Sequence, residues 1–528
     1  MLVRKKAFKH VAGIRPGRSI FNLSHYKVFD ADLGYLYPVL CKKMVPGDHF
    51  RISNEIIIRA NPLVAPLMHE INCFVHYFFV PLRLLWPKPP EEGQPSEPGS
   101  WEDFMTGGVD GTLEPLKPKW IPASPAFRTT HTMWDYFGFP VDVDPVGAYP
   151  DVWPKRAYNF IYNEYYRDQN YMEPVDFDNE DLKVRCWEKD YFTTALPWEQ
   201  RGQAPALPIT GITNAVFQGL FNSTNTPISG FGGAITWSSA AQQEMVYTNI
   251  TPAGPTSPSA EDIKNFFNNN VVDFENAATF DVNDLRLAFQ TQLFLELNAR
   301  AGSRYIEQLK AHWGVSPRDD RLQRPEYIGG SRSPVVVSEV LQTSSTDSVS
   351  PQGNLAGHGM TVDRQYIASY FAQEFGVVLG IMSMMPRPVY QQGIDREWLG
   401  ETRYDELIPE FVHLGEQPVY TAEVYANNNE SDNKSVFGFQ GRYDEYRVAR
   451  NMVVGQLRNQ APNSLAFWHI ARSFDSKPGL NREFLECRPR KDYLAVPSEP
   501  GWIVTFGNMI RAVRPLPVVG TPGLIDHK

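Results

Sequence analysis

The sequence predicts an all-β protein whose strands lie far apart along the chain, with helices carried on the connections between them. Three observations lead there. Aromatic residues make up 13% of the 528, and 43 prolines and 38 glycines accompany them, a composition of short strands and ordered loops rather than of a helix bundle. Runs of β-branched and aromatic residues recur at wide intervals. No periodic internal repeat connects them.

The elements follow in chain order. Residues 1–29 carry Arg4, Lys5, Lys6, Lys9, Arg15, Arg18 and Lys27 before the first acid, Asp30. Such a segment buries little and is expected to be an extended arm, either a solvated terminus or a polyanion-binding arm. It has no apolar stretch of the kind a secretory signal needs. NEIIIRA (54–60) reads as a strand, and INCFVHYFFVP (71–81) as a strand buried on both faces. PKPPEEGQPSEPG (87–99) is a Pro-rich loop. KRAYNFIYNEYYRD (155–168) reads as a helix with Tyr158, Ile161, Tyr162, Tyr165 and Tyr166 on one side, an aromatic stripe suited to packing.

Residues 202–260 differ in kind. Glu244 is their only charge, and Phe217, Phe221, Phe231, Trp237 and Tyr247 are scattered among Gly, Pro, Ser, Thr and Asn. A disordered linker has fewer aromatics, so an ordered surface excursion that packs against copies of itself is expected. Residues 281–314 read as a helix, with Leu285, Phe289, Leu293, Leu297, Ala301, Tyr305 and Leu309 in one apolar row. Asn283 is its expected cap, and Gly314 with Pro317 its stop. A turn with Arg318, Asp319, Asp320, Arg321 and Arg324 follows. Strands are then expected over 334–342, 375–385, 418–426 and 502–513.

Chemistry that would mark an enzyme is sparse. The chain has no GxGxxG, GxSxG, Walker A or HExxH sequence, and Cys41, Cys73, Cys186 and Cys487 form no CxxC pair. His69, Cys73 and His76 have a plausible ligand spacing, but a strand would turn His76 away from the other two. DFDNED (176–181) lacks the glycine of a calcium loop and reads as a solvated acidic loop, as do Asp142 and Asp144. Asp319 and Asp320 are flanked by arginines, which hold carboxylates ionised and suit ion pairing rather than proton transfer. The apolar run 376–385 is too short to span a bilayer, and no metal or cofactor is expected. The net charge of −10 argues against a general nucleic-acid-coating protein, so cationic function must be local.

Several segments together resemble one family. FNLSHYKVFDADLGYLYPV (21–39), VPGDHFRISNE (45–55), NPLVAPLMHEINCFVHYFFVPLRLLW (61–86), WEDFMTGG (101–108), YNFIYNEYYRDQN (158–170), RYIEQLKAHWGVSPRDDRLQRPEYIGG (304–330) and GRYDEYRVARNMVVGQLR (441–458) are similar to the major capsid proteins of the microviruses, nearest the gokushovirus branch. They span nearly the whole chain in order. The resemblance implies an eight-stranded jelly roll with long insertions, residues 30–528 forming one such domain behind a basic arm. It implies a small icosahedral shell, assembled in the bacterial cytoplasm around circular single-stranded DNA. An insertion covering 202–280 would form a protrusion at each threefold axis, placing Phe217, Phe221, Phe231, Trp237 and Tyr247 where a host receptor binds. A small basic DNA-binding protein and a pilot protein are implied as partners. The turn at 318–324 then reads as a lock on a long loop. A jelly-roll carbohydrate-binding protein or glycosidase, and a trimeric phage attachment protein, are the competing readings.

Overall fold

Period-two alternation sorts the strands into two facing sheets. The computed structural model describes residues 17–87, 99–108, 112–205, 235–237, 245–247, 282–302, 304–341 and 355–519. The chain divides into two compact units, one of Met1–Glu199 with Asn298–Lys528, the other of Gln200–Leu297.

In the first unit, β1 (Ser19–Asn22), β2 (His25–Ala31), β3 (Tyr37–Met44), β4 (His49–Ala60) and β5 (Ile71–Pro81) come first. In the second unit β6 (Ile235–Trp237) pairs with β7 (Met245–Tyr247) as an antiparallel hairpin. The first unit resumes with β8 (Glu326–Val335), β9 (Val337–Leu341), β10 (Leu355–Phe371), β11 (Gly376–Pro386), β12 (Glu416–Tyr420), β13 (Val436–Gly441) and β14 (Trp502–Arg514). One sheet runs β1-β14-β4-β10-β9, with β2 also on β14; the other runs β3-β11-β5-β8. Read along the chain, β2, β3, β4, β5, β8, β10, β11 and β14 distribute over the two sheets as an eight-stranded jelly roll, all pairs antiparallel. The surplus chain lies mainly in two connections, 82–325 and 387–501.

The sheets meet through one core. Phe50, Ile52, Ile56 and Ile58 of β4 and Trp502, Val504, Phe506 and Ile510 of β14 pack on Tyr37, Val39, Val75, Tyr77, Val378 and Met382 opposite. Each such side chain stabilises the fold by about 1.5–3 kcal/mol. The second sheet is covered on its other face too. Phe78, Val80, Val377, Leu379 and Ile381 meet Trp86, Trp120, Trp134 and α1 (Trp153–Ile161), which buries Tyr158 and Ile161; Tyr162, in the turn that follows, is buried with them. That double burial explains why β5 and β11 are almost wholly apolar. The first sheet instead shows strict alternation: β4 buries every second residue and turns Arg51, Ile57 and Arg59 outward.

Several expectations are corrected. Residues 19–22 and 25–31 do not trail as an arm; they pair with β14, because Phe29 and Ala31 reach the core and outweigh the polar alternation. The run 418–426 is strand only to Tyr420. Thr421–Val424 then form a helical turn, since the Glu423 carboxylate accepts from Tyr420 N at 2.8 Å and is fixed by Arg396 at 3.1 Å. The 281–314 helix is two: α2 (Val282–Ala301), which starts before Asn283, and α3 (Tyr305–Trp313), divided at Gly302 with φ +93°. Gly314 does stop α3, at φ +68°. The apolar row is not buried: Phe289, Leu293 and Tyr305 are all more than half exposed.

DFDNED is not a solvated loop. Asp178 takes Arg156 through Nε at 3.0 Å, and Glu180 is 7% exposed. Glu180 accepts from Trp120 Nε1 at 2.8 Å and Ala123 N at 3.0 Å and lies 3.4 Å from Lys155 Nζ. The loop clasps the polar side of α1, whose cations are buried and require anions there.

Candidate functional site

The charged turn is asymmetric. Arg318 and Arg321 are exposed, and Arg318 approaches Asp320 only at 3.8 Å with both side chains in water. Arg324 is the fixed member, its side chain 11% exposed. Its guanidinium lies over the Tyr165 ring at 4.4 Å, its Nε–H donates to the Tyr165 hydroxyl at 3.3 Å, and Asp319 Oδ1 pairs with the same nitrogen at 3.1 Å. Tyr165 in turn donates to the Pro325 carbonyl at 2.6 Å. Gln323, at φ +56°, bonds Arg83, which holds Glu374 at 2.8 Å. These bonds join four stretches of the same subunit, at Arg83, Tyr165, 319–325 and Glu374. They leave no carboxyl aimed at a cleft for acid–base work.

The other sequence-identified groups separate. Cys73 points into the inter-sheet core, while His76 faces the opposite side, its Nδ1 2.8 Å from the Tyr166 hydroxyl; His69 lies 2.8 Å from the Arg387 carbonyl. Burial pushes the Cys41 and Cys73 thiols up to about 12, so both stay protonated and unreactive. Among the described residues no group of three or more His, Cys, Asp or Glu could hold a metal ion, and no helix is long and apolar enough to cross a membrane.

His76 is expected to make the subunit acid-sensitive. Burial, with the Arg185 guanidinium second, holds it down at about 4 against an ordinary 6.5. The unfolded chain therefore binds the extra proton first, so stability is full above pH 6.5 and falls between pH 6.5 and 4. At about 1.4 kcal/mol per unit the loss is at most about 3 kcal/mol. Denaturant midpoints of wild type and His76→Gln from pH 7 to 4 check this: the variant is expected to have the shallower acid limb, and parallel limbs refute it.

The arm residues Arg4, Lys5, Lys6, Lys9 and Arg15 lie outside the described residues. Arg18 is described, 5.7 Å above the Phe371 ring at the edge of the first sheet. Phe217, Phe221 and Phe231 also lie outside the described residues. Trp237 and Tyr247 fall in β6 and β7, where Trp237 pairs with Met245 and Ile235 with Tyr247.

Sequence reading missed the open face of the first sheet. Arg51 and Arg59 of β4, Arg364 of β10 and Arg511 of β14 all point outward and are exposed. Only the alternation His49-Arg51-Ser53 hinted at it. The neighbours that give it meaning are hundreds of residues away.

The comparisons with known proteins agree along the whole length. The family described as capsid protein (F protein) of phages matches residues 9–524. The chain is 33% identical to capsid protein VP1 of Chlamydia phage 1, over 99% of this chain and 98% of that one. It is 32% identical to capsid protein VP1 of Bdellovibrio phage phiMH2K, over 98% and 97%. For capsid protein VP1 of Spiroplasma virus 4 the identity is 28%, over 96% and 95%.

Proposed function

The chain belongs to the phage capsid protein (F protein) family, and from that premise we propose that it builds a small icosahedral shell, one copy per asymmetric unit, around circular single-stranded DNA. As a member of that family it is a structural component of the virion and not an enzyme, and copies of it form the shell that encloses the phage genome. The observation that carries the reading is the end-to-end match to capsid proteins by a chain folded as a jelly roll. In the finer reading, Arg4, Lys5, Lys6, Lys9, Arg15 and Arg18 bind the genome from inside. A small basic DNA-binding protein and a pilot protein share the particle. Residues 202–280 form the threefold protrusion and meet the host receptor.

The near absence of charge in 202–260 supports that last assignment. Three copies at a threefold axis place like groups beside like groups, and charges there would repel. Electron microscopy of the purified full-length chain tests the shell: closed particles are expected, whereas lone trimers or monomers refute it. Replacing residues 210–255 by a short Gly/Ser loop tests the protrusion. Particles are expected to close and to lose host adsorption. Normal adsorption removes the receptor role, and failure to close makes the segment part of the shell wall. Removing residues 1–18 is expected to lower DNA retention while particles still close; if all seven cations of 1–29 touched phosphate, the salt slope would reach about −5.

A further inference from the structure

We propose that the open outer face of the first sheet is itself a binding platform for single-stranded nucleic acid, separate from the basic arm. The inference rests on the reading of the chain as a genome-enclosing shell subunit. It starts from strand register. Arg511 of β14 stands directly opposite Arg51 of β4, with Asn22 of β1 beyond Arg511 and Ser369 of β10 beyond Arg51. All four point away from the core, so a row of polar groups centred on two arginines crosses four strands. Like charges directly opposite on paired strands destabilise a sheet. Two adjacent guanidiniums become favourable when an anion such as a phosphate lies across them.

The rest of the face extends that chemistry. Arg364 and Arg59 lie further along it, on β10 and β4. Among the described residues none of the four arginines has an ion-pair partner. Among the described residues, the outward carboxylates on these strands are Glu55, across from Arg364, and Asp30, which is taken by His131 at 2.5 Å. Aromatic rings stand between the cations: Tyr26 is 77% exposed, Tyr366 61% and Phe371 46%. Cations interleaved with exposed rings bind unpaired bases by stacking while the arginines follow the backbone. A duplex offers no exposed base face, and an acidic protein surface has no need of the rings.

Two features place this face toward a polyanion rather than a second copy of the chain. The other sheet has its outer face covered by α1 and its loops, so among the described residues this is the sheet left uncovered. The basic arm also leaves from it: Ser19 opens β1 on this sheet's edge, and Arg18 lies over Phe371, one row along from Arg51 and Arg511. In a chain of net charge −10, Arg18 and the four arginines of this face concentrate positive charge in one place.

The test uses the full-length chain with Arg51→Gln, Arg59→Gln, Arg364→Gln and Arg511→Gln combined, and a fluorescent oligothymidylate as probe. Four lost phosphate contacts are expected to make the slope of log affinity against log salt less negative by about 3. Tyr26→Ala or Tyr366→Ala is expected to weaken binding by about tenfold with the slope unchanged. The thermal midpoint of the arginine variant is expected not to fall, because the residues are exposed and two of them repel. Its particles are expected to close with less DNA, read from the ratio of absorbance at 260 and 280 nm. An unchanged slope with wild-type DNA content refutes the proposal and leaves the shell reading intact. A folded variant that binds the probe normally but cannot close assigns the face to contacts between copies. One that loses a second protein from the particle assigns it to an acidic partner. Either outcome overturns the proposal. Failure of the wild-type chain to form particles would instead strike the reading beneath it.

Discussion

Asp319→Asn is expected to lower subunit stability by about 3 kcal/mol, while Asp320→Asn, one residue away, costs at most about 1 kcal/mol. The difference follows from burial. Asp319 neutralises Arg324, which is nearly buried against Tyr165; without it the guanidinium keeps only Glu164 at 3.9 Å. Asp320 meets a fully hydrated Arg318, and losing that contact exposes nothing new. Arg324→Lys tests the same point from the other side. Lysine keeps the charge but loses the flat contact over the ring and the fixed direction of Nε, so a clear loss is expected there as well. Urea denaturation of the three variants, with particle counts by microscopy, gives the answer. Equal effects at 319 and 320 would mean that the turn is held by general charge and not by the Arg324 contact.

This turn marks how far the sequence could be read. Its type of chemistry was legible, since arginines beside aspartates in a Pro-flanked turn point to ion pairing. Which arginine matters was not, because Tyr165, the ring that selects Arg324, is 159 residues away. The same division holds for the fold. β5, β11 and β14 were readable because burial on one or both faces demands apolar residues that local pattern exposes. β2 and β10 were not, since their outward positions carry Tyr26 or Arg364 and dilute the signal. The division of 281–314 at Gly302 was hidden by a row of apolar residues that continues through it. The pairing of Arg51 with Arg511 is a fact of register between strands more than four hundred residues apart, and no local pattern encodes it.

Glu180→Ala is expected to be the most damaging single change in the clasp over the second sheet, at about 3–5 kcal/mol. The carboxylate is 7% exposed and serves three donors at once: Trp120 Nε1, Ala123 N and Lys155 Nζ. Alanine strands all three. Lys155 is itself nearly buried, and its remaining anion, Asp178, lies 3.6 Å away and is already engaged by Arg156. The damage would not stay local, because Trp120 packs on Trp134 at 5.2 Å and both belong to the cluster that covers β5 and β11. Glu180→Gln keeps an acceptor for Trp120 but removes the negative charge, so a smaller loss is expected. Adding Lys155→Met to Glu180→Gln then removes the orphaned cation, and the pair should be more stable than Glu180→Gln alone, since deleting both halves of a buried ion pair costs less than deleting one. Thermal melts of wild type, Glu180→Gln, Lys155→Met and the double variant measure this as a double-mutant cycle. Additive effects, with no recovery in the double variant, would show that Glu180 acts through Trp120 and Ala123 and that the Lys155 charge is satisfied elsewhere.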